Sequence, residues 1–233
     1  MDGNIRQWKS GKLNSKTKVV CGGCNHSWMS EVENRTKAVI QHMAVSCQPQ
    51  TLDAANIETI AQFAFLKAVV ADHSHDNRGP FFNTAERYNF RGTLQLPPGF
   101  QMWLAGMPKQ HGVFKSFYAI APQNVPGRCE INAFTYGLGH FLVQTTTGRW
   151  MKKAHRRHSL PPTIQQGGVW KTFSIQVWPN PAPQTCWPPV EYLEHEILDD
   201  YAQRWKLMIL NPYDLPHPTG GSIIAVPLML SAS

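Results

Sequence analysis

The texture of this sequence changes once, near residue 80, and that change limits what the chain can fold into. Upstream, apolar residues recur at helical spacing; downstream they gather into short aromatic and β-branched runs. Trp28, Val32, Val39, Ile40, Met43 and Ala44 fall on one side of a 3.6-residue period, which predicts a helix of about five turns. Glu31 and Glu33 sit in its early turns, where the positive end of the helix dipole favours carboxylates. The stretch 46–49 ends it. A second helix follows, with Asp53 as its N-cap and Ile57, Ile60, Ala61, Ala64, Phe65, Ala68 and Val69 along it. Its end is apolar nearly all round, so it belongs between layers.

After a polar loop at 72–80, the runs 100–107, 114–121, 130–137 and 141–147 are separated by Gly, Pro and Asn, the signature of an antiparallel sheet. The pair 130–137 and 141–147, joined through Leu138, Gly139 and His140, reads as a hairpin. The alternation of Phe173, Ile175 and Val177 makes 169–178 another strand. Pro188 and Pro189 open a helix from Val190 whose inner face is Tyr192, Leu193, Ile197, Leu198, Tyr201 and Trp205. The run 223–230 is a candidate last strand. Trp103, Trp170 and Trp178 lie in apolar strands, so core filling is the better reading than a stacking platform. The whole is an α+β protein, with a small element over 1–50 and the second helix, sheet and C-terminal helix over 51–233.

Composition narrows the class. Of 233 residues, 42% are hydrophobic, with 8 Trp and 11 Phe, which excludes a disordered tail protein. The five cysteines are an odd number, which argues against a secreted disulfide scaffold and for a reducing compartment, the cytoplasm. No stretch approaches the ~20 apolar residues of a membrane-spanning helix. The net charge of +7 makes nucleic acid, and DNA first, the partner to consider. Two clusters carry it. One is Arg6, Lys9, Lys12, Lys16 and Lys18. The other is Arg149, Lys152, Lys153, Arg156 and Arg157, interleaved with Trp150, His155 and His158; cations with an aromatic between them can hold phosphates and stack a base.

The sharpest local signal is Cys21-Gly22-Gly23-Cys24-Asn25. Two thiolates at this spacing, on a turn running into a helix, can hold one tetrahedral zinc, although they supply two ligands of four. A thioredoxin-like redox pair is the competing reading, and it asks for a preceding strand in a βαβ unit. Asp72-His73-Ser74-His75-Asp76 is the other segment that packs His and Asp tightly, as a metal site or as a solvated loop. Cys47, Cys129 and Cys186 stand alone.

The run from Val19 to Glu33, with Cys21, Cys24, Asn25, Trp28, Met29 and Ser30, resembles the downstream half of bacterial and phage HNH-endonuclease-like proteins. The later Trp178-Pro179 and Trp187-Pro188-Pro189 resemble their C-terminal region. The resemblance implies a treble-clef remnant in which Cys21 and Cys24 bind a structural zinc and Asn25 helps to hold a catalytic Mg²⁺ or Mn²⁺. In the complete family, a His activates water for phosphodiester hydrolysis beside that metal. Residues 1–20 contain neither Cys nor His. The expectation is therefore a nucleic-acid-associated protein that cleaves only if the upstream half is supplied. The alternative is a non-catalytic binding module with a vestigial C-x-x-C.

Overall fold

The computed structural model describes residues 20–73, 80–120, 129–150, 163–166, 169–189 and 191–204. Helix α1 (Gly22–Cys24) runs through a π turn (Asn25–Met29) into α2 (Ser30–Ser46). Helical backbone thus begins six residues before Trp28, where the periodicity first becomes legible. Strand β1 (Gln50–Asp53) leads into α3 (Ala54–Asp72), and α4 spans Thr84–Thr93. Then come β2 (Phe100–Ile120), β3 (Cys129–Trp150), β4 (Thr163–Gln166), β5 (Val169–Thr172), β6 (Ser174–Trp178) and β7 (Gln184–Trp187). A 3₁₀ turn (His195–Ile197) and α5 (Leu198–Gln203) complete the described chain. The α+β class expected from the sequence is the class observed.

Helix α3 starts where the sequence placed it, because the Asp53 carboxylate accepts the Asn56 amide at 2.7 Å. It corrects the expectation that no stretch approaches a membrane-spanning length: among the described residues it is the one helix long and apolar enough to cross a membrane, and more than half of it is buried inside the fold. Phe65 is fully buried there, edge-on to Phe82, Phe90 and Phe100 with ring centroids 5.0, 4.7 and 5.5 Å away. Those rings come from the loop before α4, from α4 and from β2, so one side chain fastens three segments to α3. Helix α4 was missed in the sequence. Its signal is the capping box: Asn83 accepts the Glu86 amide at 2.9 Å while Glu86 accepts the Asn83 amide at 2.8 Å.

The main sheet has the order β3-β2-β6, antiparallel throughout; β1 pairs with β7, and β4 with β5. Helices α2 and α3 cover one face of the main sheet. On the other face Leu193, Ile197, Leu198 and Tyr201 pack against Ala105, Met107, Leu142 and Phe173. With both faces covered, alternation along a strand sorts residues between two cores. Met102 and Leu104 join the helix-side core, while Ala105 and Met107 join the other.

Three sequence expectations are corrected here. The hairpin through 138–140 does not exist; residues 129–150 form one strand, paired along its length with an equally continuous β2. Gly139 has a positive φ of 62°, but it sits at a bulge, where pairing jumps from Gly106↔Phe141 to His111↔Gly139. The bulge shifts the alternation by one residue. Phe134 and Tyr136 precede it at even numbers and Phe141 and Val143 follow at odd ones, yet all four meet the helix-side core. Second, 169–178 is two strands broken at Phe173, which turns into the opposite core. Third, Val190 lies outside the described residues, and 191–194 are not helical; the 3₁₀ turn begins at His195. The Leu193 amide donates to the Gly106 carbonyl at 2.8 Å and Tyr192 bridges to Gly106, which holds this backbone against the sheet until His195. The run 223–230 and Trp205 lie outside the described residues.

On the second face Arg204 gathers several buried polar groups, although the buried Trp103 indole nitrogen has no hydrogen-bond partner among the described residues. Arg204 donates from Nε to Gln144 Oε1 at 2.6 Å, and to Ser174 Oγ and Tyr201 Oη at 3.2 and 3.3 Å. Its guanidinium carbon lies 4.2 Å from the Tyr201 ring centroid and 5.4 Å from that of Trp103, which is fully buried, as core filling requires. Trp187 is also core, its indole donating to the Ala105 carbonyl at 3.3 Å.

Candidate functional site

The C-x-x-C-N segment folds as a knuckle at the start of the first helical stretch. Cys21 has extended backbone, φ −67° and ψ 151°, and its sulfur caps α1 by accepting the Cys24 amide at 3.2 Å. The Asn25 amide donates to the Cys21 carbonyl at 3.0 Å, which closes the turn. Gly22 and Gly23 leave open space where a Cβ would stand. Ser27 interrupts helical geometry with φ −111° and ψ −115°, and its hydroxyl donates to the Gly23 carbonyl at 2.7 Å. Ser30 likewise donates to the Asn25 carbonyl at 2.6 Å. The two serines therefore fix the path between knuckle and helix.

The remaining motif residues anchor the knuckle to the body. Met29 is buried, and Trp28 packs edge-on against Phe90 at 6.0 Å. Since Phe90 also meets Phe65, an aromatic chain runs from the knuckle through α4 to α3. This contact brings the end of α4 near the sulfurs. The Cys24 amide hydrogen bond, followed by the Cys24 thiol, lowers the Cys21 pKa, and the positive charge of Arg91 acts in the same direction. Arg91 was not singled out in the sequence, because its effect on Cys21 depends on α4 and on the Trp28–Phe90 contact.

Cys21, Asn25 and His26 are exposed, and Cys24 is half-buried at the core's edge. A zinc fits this donor set as a half-site. Both sulfurs lie on one turn, and an amide supports one of them as an outer-shell donor does in metal sites. Among the described residues no group of three His, Cys, Asp or Glu side chains converges. The residues before Val20, including Lys16 and Lys18, lie outside the described set.

The second basic cluster is described only at its first member. Arg149 is ion-paired with Glu86 and lies 3.7 Å from Glu130, with its guanidinium carbon 4.1 Å from the Phe81 ring centroid. A phosphate at Arg149 competes with two carboxylates. Lys152, Lys153, Arg156 and Arg157 lie outside the described residues.

Of the 72–76 segment, Asp72 and His73 are described. Asp72 is buried and accepts the Phe82 amide at 3.0 Å and the Asn132 side chain at 3.4 Å, so it holds the loop's return to the sheet. His73 Nε2 lies 2.5 Å from an Arg87 guanidinium nitrogen, an arrangement in which the neutral ring accepts. Partial burial lowers the His73 pKa, Arg87 adds to this, and Asp72 opposes it. As pH falls, the unfolded chain takes up this proton before the folded one does. The contribution is complete above about pH 6.5 and declines as pH drops through the interval between that value and the lower folded one. Urea midpoints between about pH 5 and 8 are expected to fall on the acid side, with a shallower acid-side slope in His73→Gln. An unchanged slope would remove His73 from the account.

Cys47 ends α2 in the left-handed region at φ 52°, and its thiol donates to the Tyr192 hydroxyl at 3.6 Å. Cys186 is exposed on β7. Comparison with known proteins returned no matching family model, curated protein or solved structure.

Proposed function

We propose that this chain is a nucleic-acid-associated, HNH-endonuclease-like protein whose Cys21 and Cys24 hold a structural zinc and whose Asn25 belongs to the metal end of a phosphodiester-cleaving site. One observation carries the reading: the C-x-x-C forms a knuckle at a helix start, with an amide-supported sulfur and Asn25 exposed directly after it. Bound metals supply two things, a cross-link at the sulfurs and positive charge for a scissile phosphate. The chain's own residues do the positioning. Ser27 and Ser30 fix the backbone on either side of Asn25, and Trp28 fastens the turn to Phe90. The partner is DNA in the cytoplasm, bound through the Lys and Arg clusters of residues 6–18 and 149–157, and hydrolysis needs the upstream half of the motif.

Fluorescence anisotropy with a labelled DNA duplex at increasing salt tests the binding. The logarithm of affinity should fall linearly with the logarithm of salt. Replacing Lys152, Lys153, Arg156 and Arg157 by Ala should flatten the slope by about 0.9 for each phosphate that is no longer neutralised. No binding at low salt contradicts the proposal. In a plasmid-nicking assay with Mg²⁺ or Mn²⁺ and the upstream half of the motif supplied, Asn25→Ala is expected to nick about 10–100-fold more slowly than the native chain. Equal rates would remove Asn25 from the metal end.

A further inference from the structure

We propose that Cys21 and Cys24 form a reversible dithiol–disulfide couple that takes a small-molecule disulfide, such as glutathione disulfide, as its oxidant. The backbone is already suited to the bond. Cys21 is the N-cap and Cys24 the third helical residue, so one turn separates them. Helical geometry sets their Cα atoms about 5 Å apart, inside the range of roughly 4.4–6.8 Å that disulfides occupy. The Cys21 sulfur already reaches the Cys24 amide at 3.2 Å, and Gly22 and Gly23 leave open space for the turn to adjust.

Exposure assigns the roles. Cys21 is open to solvent and meets the oxidant, whereas half-buried Cys24 packs at the core's edge and resolves the intermediate. The Cys21 thiolate attacks one sulfur of glutathione disulfide, forming a mixed disulfide and releasing one glutathione thiolate. The Cys24 thiolate then attacks the Cys21 sulfur, forming the Cys21–Cys24 bond and releasing the second. Two electrons pass from the protein to the glutathione, and the two thiol protons end on the released thiols. The other described cysteines differ: Cys47 is engaged with Tyr192, and Cys186 lies opposite Thr51 in the β1–β7 pair. Oxidation and zinc binding at these sulfurs exclude each other; that consequence alone rests on the metal reading above.

The test uses the full chain, stripped of metal by a chelator and treated with glutathione disulfide until Cys186 carries glutathione. Remaining thiols are alkylated and the chain is cut with trypsin. Both cysteines fall in the peptide 19–35, between Lys18 and Thr36. That peptide is expected to lose two hydrogens and to carry neither alkyl group nor glutathione, and Cys24→Ser is expected to retain glutathione on Cys21. A doubly alkylated 19–35 peptide beside modified Cys186, or glutathione retained on both cysteines of the native chain, overturns the proposal. Zinc titration of the reduced chain reports separately on the metal reading, so the two failures are distinguishable.

Discussion

Gly139→Ala is expected to lower the thermal unfolding midpoint by about 10 °C. Two costs combine at this position. Its φ of 62° charges any residue with a Cβ about 1–2 kcal/mol. A Cβ there would also stand 1.9 Å from the Ala44 carbonyl oxygen and 2.8 Å from its carbon, in the last turn of α2. Both obstacles are backbone, so relief requires separating α2 from β3, and overpacking of this kind costs about 1–3 kcal/mol. At about 2–4 °C per kcal/mol for a chain this size, the sum gives the shift stated. Gly92→Ala is the control. Its Cβ meets nothing within 4 Å and the residue lies inside helical α4, so stability should rise by about 0.5–1 kcal/mol. Differential scanning calorimetry of both variants checks the pair; equal small shifts would show that Gly139 is not a contact point.

Phe65→Ala is expected to cost about 3–5 kcal/mol, read from the urea midpoint. The ring is fully buried and touches Phe82, Phe90 and Phe100, whose segments have little room to collapse into the space it leaves. Phe65→Leu, which keeps most of the volume, should cost less than half as much. Because Phe90 also supports Trp28, the alanine variant should loosen the knuckle as well. Faster alkylation of half-buried Cys24 in Phe65→Ala than in Phe65→Leu would report this. A cost below about 1 kcal/mol would mean that the aromatic chain does not hold α4 in place.

The features legible in the sequence are those fixed by neighbours in the chain. Asp53 bonds the amide three residues on, and the spacing of Ile57, Ile60, Ala61 and Ala64 belongs to one helix, so α3 was readable to its cap. Gly139 shows why the sheet was not. A glycine with positive φ looks the same in a tight turn and in a bulge; what separates them here is the partner, His111, nearly thirty residues earlier. The backbone from Tyr192 to Leu193 failed for the same reason, since Gly106 outcompetes the local helical pattern that follows Pro189. At the candidate site, the cysteine pair and its helix were local and legible. The pairing of Arg149 with Glu86 and the approach of Arg91 to Cys21 depend on where α4 lies, and α4 itself went unread.

The central claim is that the Cys21–Cys24 knuckle holds a metal. Elemental analysis of the reduced chain purified without chelator, beside Cys21→Ser and Cys24→Ser, tests it most directly. With the upstream half of the motif supplied to complete the four ligands, near-stoichiometric zinc is expected with the native chain and is lost in both variants, because removing either thiolate breaks the half-site. Zinc absent from the native chain, or equal in all three proteins, would contradict it.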